Sequence, residues 1–496
     1  MGRDVSICEW HSPTDSNLRV NSALIHNRII GLSLRLILTR FSMKIRCLLV
    51  CILSYWIGPT RVLQAQSLPL VQLLQQAEQT YPALRASRLR IDAQQKNIDL
   101  IQNAALPTLE GSYQANLATY NNITGLFHPQ GLLPISGPPS IGNRYQPVSG
   151  SAASLLLNWQ PITFGLREAQ RTVAKAEISL GENQLEATLF NHKVRVIDAY
   201  LDGLLLAELV GVYQQNVTRA QSNLTQSRVL VGTGLRSGAD TALFAGELSR
   251  ANVELLQARQ AWQEGQIQLA QLVGSDRPIA VRDSLVFIRL PTATNQVDSV
   301  NHHPLFRVAQ QQVRQGQDRE ALIRKARLPR LGFWAIAYGR GSGVSASGEV
   351  NPAEGLLFSR FNYGAGLLFS VPLLNGPEVR LRSQQQQLIN QAYQEDIRQT
   401  ELQLTGERLR TETALQSARL IASELPAQKQ AAQSAFTVLR TRYNEGLTTF
   451  ADFAQAQYGL VRAEVDYKKS YWSVWKAWLG QAAANGDLSP FLNQLP

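Results

Sequence analysis

Across residues 165–231 apolar positions recur at helical spacing and nothing interrupts them. The segment has no proline, its only glycines are Gly165, Gly181, Gly203 and Gly211, and it is rich in Gln, Glu, Ala, Leu and Arg. All of these are good helix formers. Val194, Ile197, Leu201, Leu205, Leu209 and Val212 fall three or four apart, the rhythm of a seam packed against other helices. One helix over this stretch would be about 100 Å long, a rod rather than part of a compact core. Residues 376–443 carry a near copy of it.

The period changes on either side of the rod. Leu109, Gly111, Tyr113, Ala115 and Leu117 alternate with Glu110, Ser112, Gln114 and Asn116. Period two predicts a strand over 108–119 with one apolar and one polar face. A second strand is expected over 152–160, closed by Pro161, with a long polar loop between. Short helices are expected over 67–79 and 82–106. After the rod come a glycine-dense turn at 232–238 and a helix over 240–272.

This programme then restarts. Pro82 and Pro107 are 25 positions apart, and so are Pro304 and Pro329. Gly234, Leu235, Asp240, Leu248 and Arg250 recur 212 positions later as Gly446, Leu447, Asp452, Leu460 and Arg462. Two repeats follow, 67–273 and 301–482, joined by an irregular linker over 274–300 and ending in a tail over 483–496. The second repeat carries strands over 330–340 and 362–371. In the first of these, Trp334, Ile336 and Tyr338 compete with Leu331, Phe333, Ala335 and Ala337 for the apolar face, which leaves its two sides open. Pro426 has no counterpart in the first rod and predicts a kink or break there.

Lengths suggest the assembly. Two short helices end to end nearly match one long rod, so each repeat folds as an antiparallel pair of rods. Strands of about ten residues are long enough to cross an outer membrane at a tilt, and Tyr113, Trp159, Phe333, Tyr363 and Phe369 suit the interfacial belts. The alternative is a soluble four-stranded sheet, which would need a covering layer. Four strands cannot close a barrel, and an open edge is not tolerated in lipid. Several copies must therefore share one barrel. The fold class is mainly α with a transmembrane β part.

Composition and charge narrow the function classes. The formal net charge is +11. Without residues 1–66, which hold eight Lys/Arg and three Asp/Glu, it falls to +6 and shows no basic run. Nothing there calls for nucleic acid. The three cysteines, Cys8, Cys47 and Cys51, all precede the repeats, so no disulfide framework is expected in them. Lys44 and Arg46 followed by an apolar run predict a signal peptide over 43–65. A membrane anchor is the alternative, but the run is short and Pro59 and Arg61 end it. Residues 1–42 read as an over-extended start. No nucleotide loop, nucleophile elbow or zinc motif occurs. No catalytic, cofactor-binding or metal residues are expected, and His302-His303 reads as a surface pair.

The chain resembles the TolC family of outer-membrane efflux and secretion channels over about residues 67–485. The resemblance rests on Pro161-Ile162-Thr163-Phe164-Gly165, Val371-Pro372-Leu373-Leu374-Asn375-Gly376, and the run from Arg442-Tyr443 through Gly446-Leu447 to Ala451-Asp452, in this order and duplication. It implies a homotrimer with a shared twelve-stranded barrel in outer-membrane lipid, continuing as an α-helical tunnel through the periplasm. It also implies docking of a periplasmic adaptor, or membrane fusion, protein and an inner-membrane transporter at the tunnel tip. Gly234, Leu235, Gly446 and Leu447 would be that tip, and Tyr443, Asp240 and Asp452 its gate. The family's best-known member has a second Asp where this chain has Gln455, and an Arg in the second turn where this chain has Thr448. Arg236 occupies the matching place in the first turn. A latch between Arg236 and an Asp across the tip is one expectation. Simple capping roles for the two aspartates are the other. The function so implied is a passive channel of an efflux or type I secretion system. The competing class is a periplasmic coiled-coil adaptor or scaffold outside any membrane.

Overall fold

A computed structural model describes residues 69–119, 121, 141–281, 285–292, 300–345 and 347–495. The expected leader segments, 1–42 and 43–65, lie outside these residues, as does most of the loop over 120–150.

The described chain runs α1 (Leu70–Thr80), α2 (Pro82–Asn103), β1 (Thr108–Thr119), β2 (Pro147–Ile162), α3 (Leu166–Gly232) and α4 (Gly238–Val273). The second repeat follows as α5 (Pro304–Lys325), β3 (Arg330–Ser342), β4 (Arg360–Ser370), α6 (Gly376–Asn444) and α7 (Phe450–Ala484), with α8 (Ser489–Leu492) last. The two rods have 67 and 69 residues. Helix α3 packs along α2 and α4, and α6 packs along α5 and α7, while α3 also meets α5 and α7. The short helices thus line each rod in turn.

Pro426 does not break α6, which is helical throughout. The proline lacks the amide that would bond to the Ala422 carbonyl, but packing of the turns just before it holds the helix together. Ala422 and Ala418 are buried in the main core.

That core lies where α3 and α7 cross the linker and tail. Ile197, Leu201 and Leu204 of α3 are almost fully buried there, with Trp475 and Trp478 of α7. The linker is not a loose connector. Its Val286 and Phe287 are each 1% exposed, in a short 3-10 turn. Trp475 donates its indole N–H to the carbonyls of Val286 at 3.0 Å and Arg289 at 3.2 Å. The tail adds Phe491, edge-on to Trp475 at 6.0 Å.

Two histidines are buried among the rods. His192 stacks on Tyr81 with ring centroids 3.9 Å apart. His303 is not a surface residue as expected. It caps α5, accepting from the Leu305 amide at 3.2 Å, and is 4% exposed. Burial holds both imidazoles below the ordinary value of 6.5. As pH falls below about 6.5 the unfolded chain binds protons that the folded chain refuses, so stability drops. The urea midpoint is expected to be lower near pH 5.5 than near pH 8. Equal midpoints would contradict this.

The four strands form one antiparallel sheet in the order β1-β2-β3-β4. Strand β2 runs on past Pro161, which the sequence places at its end. A register shift between Trp159 and Ile162 accommodates the proline, as bulges do. Register also settles the sides of β3. Leu109, Leu157, Ala335 and Ala365 form one cross-strand row, and Tyr113, Ala153, Gly339 and Phe361 another. Phe333, Ala335 and Ala337 therefore share the apolar face. Trp334, Ile336 and Tyr338 share the opposite one with Ser112 and Ser154. Phe361 and Phe369 lie eight positions apart on the apolar face of β4, about 27 Å along the strand. That is close to the height of a membrane-facing band.

Candidate functional site: the paired turns at the rod end

Each rod ends in the same way. The Leu235 amide donates to the Leu230 carbonyl at 3.0 Å, and the Gly234 amide to the Val231 carbonyl at 3.0 Å. In the second repeat the Leu447 amide reaches Arg442 at 2.8 Å and the Gly446 amide reaches Tyr443 at 3.1 Å. This is the left-handed glycine cap. Gly234 and Gly446 have φ of 77° and 82°, which a side chain would disfavour. Leu235 and Leu447, next in each turn, are 70% and 62% exposed. Two apolar side chains are thus displayed at the extremity of the rods.

The two turns are tied together. Arg236 donates to the carbonyl of Tyr443 at 2.5 Å and to that of Thr448 at 3.0 Å. Its guanidinium also lies 4.2 Å from the centre of the Tyr443 ring, a cation–π contact. The Tyr443 hydroxyl donates to the Asp240 carboxylate. Burial, then that hydrogen bond to a carboxylate, pushes the Tyr443 phenol well above its ordinary range, so it stays protonated and able to donate.

The structure thus joins Arg236, Asp240 and Tyr443, but not as an ion pair. No Arg236–aspartate pair forms within the described chain. Asp452 is engaged locally, in a capping box with Thr449 at the start of α7. Hydrogen bonds from Thr449 and then Thr448 hold its carboxyl below the usual range. Gln455 lies exposed a turn further on.

Beneath the turns is an aromatic cluster that the sequence reading missed. Phe244, Tyr443 and Phe453 are each at most 3% exposed. Phe244 is edge-on to Phe450 at 4.8 Å and to Tyr443 at 5.5 Å, and Phe436 meets Phe453 at 5.7 Å. The only signal in sequence was four phenylalanines, Phe244, Phe436, Phe450 and Phe453, within four turns of the two glycine caps. Farther along, polar groups join α3 to α7. Arg219 and Glu464 form a bidentate pair at 3.0 and 2.8 Å. Asn223 donates from its amide to Gln457 Oε1 at 2.9 Å, and Gln457 in turn donates to Asn216 at 3.3 Å. Since α3 and α7 belong to different repeats, these contacts fix one repeat against the other near the tip.

Among the described residues no helix is long and apolar enough to cross a membrane, and no group of three or more His, Cys, Asp or Glu is placed to hold a metal.

The fold is shared with solved outer-membrane channels. CusC matches with a TM-score of 0.66 at 12% identity, over 84% of this chain and 92% of that one. VceC of Vibrio cholerae matches at 0.63 and 15% identity, over 84% and 96%. The open state of the MtrE channel of Neisseria gonorrhoeae matches at 0.61 and 15% identity, over 84% and 89%. No curated protein sequence matches the chain. The family model described as outer membrane efflux protein matches residues 73–275 and 297–470, one stretch in each repeat and together well over half of the sequence, and so the chain belongs to the outer membrane efflux protein family.

Proposed function

We propose that three copies of this chain pool their sheets into one barrel and their rods into one tunnel, forming a passive conduit from the periplasm through the outer membrane. The observation that carries this reading is the sheet. Strands β1 and β4 are its outer strands, and one face of it is apolar and uncovered. Lipid removes the cost of exposing that face, but makes open edges untenable. Ring closure by identical copies meets both demands. The periplasmic scaffold alternative leaves the apolar face without a role.

The paired turns are the closed gate of this conduit. Arg236 and Asp240 of the first turn hold the second turn through Tyr443 and Thr448. An adaptor protein docking on the tip, over Gly234, Leu235, Gly446 and Leu447, displaces these contacts and lets the second-repeat helices swing outward. That the MtrE channel, which shares this fold, was solved in an open state supports a conduit that also has a closed one. Energy for export comes from an inner-membrane transporter of an efflux or type I secretion system.

Reconstitution tests the reading. The full chain purified in detergent is expected to have the mass of three copies and to give discrete conductance steps in planar bilayers. A monomer without conductance would remove the channel.

A further inference from the structure

The non-apolar face of the sheet carries side chains that a plain water-filled barrel does not require. Trp334 stands on this face and lies over the backbone of β4. A Cβ atom at Gly366 would come within 3.0 Å of the indole, and one at Gly364 within 3.6 Å. Two consecutive same-face glycines thus clear a strip on which the ring lies flat, with 36% of the residue exposed. Two rows further from the rods Tyr338 lies opposite Asn362, and in the next row Arg340 lies directly opposite Arg360. Arg360 is exposed and donates to its neighbour's carbonyl, that of Ser359, at 3.5 Å.

The exposed guanidinium of Arg360 is the kind of group that grips carboxylates and sulfonates with paired hydrogen bonds. The ring of Tyr338 is one same-face step away, about 7 Å along the strand. That spacing matches a ligand with an aromatic ring and an acidic group on it. Trp334 is two same-face steps further back, about 13 Å from Tyr338, and offers the same π surface. A solute moving outward would meet a ring platform, a second platform, then the Arg360 cation. Several weak stations in series favour passage over trapping.

We propose that this wall is a transit track selective for aromatic organic anions. The proposal rests on the channel reading above, which puts this face inside the barrel, and it names the class of solute that the channel favours.

The test uses the full chain in planar bilayers, with naphthalene-2-sulfonate added on the barrel side as a current blocker. Hexane-1-sulfonate is the aliphatic control. The aromatic anion is expected to block at a concentration about fivefold below the aliphatic one, the scale of a single exposed π contact. Arg360→Gln is expected to weaken block by both sulfonates about fivefold or more. Tyr338→Leu is expected to weaken only the aromatic one, and Tyr338→Phe to restore it. Conductance with equal block of all variants by both sulfonates would overturn the track while leaving the channel. Absence of any conductance would overturn both.

Discussion

Trp475→Ala is expected to destabilise the folded protomer by about 3–5 kcal/mol, the largest loss of any single side chain here. The residue is 1% exposed and stands where rod, linker and tail converge. Its truncation leaves a large cavity in a core whose walls are long helices, which cannot easily collapse into it. It also strips the indole donor from the Val286 and Arg289 carbonyls, leaving the buried Val286 acceptor unsatisfied. The linker loses its tie to α7, so it is expected to be released first. Urea unfolding with limited proteolysis of residues 274–300 checks both effects. A loss under about 1 kcal/mol, with the linker still protected, would show that the helices alone define this core. Trp475→Phe should fall between, since it keeps much of the volume and loses the donor.

The second large effect is on the gate. Asp240→Asn removes a charged acceptor from the Tyr443 hydroxyl, worth about 2 kcal/mol, which corresponds to roughly a thirtyfold rise in the ratio of open to closed tips. Arg236→Ala acts in the same direction by deleting two hydrogen bonds to carbonyls and the contact with the Tyr443 ring. Mean single-channel conductance is expected to rise several-fold in each. Asp452→Asn disturbs only its own helix cap, typically about 1 kcal/mol, and should open the tip much less. If the Asp452 variant opened the channel as far as the Asp240 variant, the link through Tyr443 would not be what keeps it shut. The proposed latch thus keeps Arg236 from the sequence reading but changes its partner. The acceptors are main-chain carbonyls, which no side-chain motif announces.

What was legible in the sequence was local or periodic. The long seam from Val194 to Val212 is seen directly as helix, and the alternation over 108–119 directly as strand. The fixed offset between Gly234-Leu235 and Gly446-Leu447 exposed the duplication before any coordinates. What was hidden depended on contacts between distant segments. The side of β3 that faces its apolar neighbours is set by pairing with β2 and β4, and Trp334 is placed by glycines thirty or more positions away. The burial of His303 comes from α7, whose Ala483 carbonyl lies 3.2 Å from its ring. The continuity of α6 at Pro426 was hidden for the same reason: the effect of a proline is local, while the support that keeps the helix unbroken comes from neighbouring helices. The tip aspartates looked alike by position, yet one binds across to the other repeat and one caps its own helix.

The sheet has a kinetic corollary. A newly exported protomer has water-compatible rods at one end and, at the other, strands that neither water nor lipid accepts alone. On the shared-barrel proposal, insertion waits for encounters among copies, so its rate is expected to depend steeply on dilution. A time course of membrane integration would show a lag that shortens as protomer concentration rises, and a lag indifferent to concentration would mean that single chains enter lipid first.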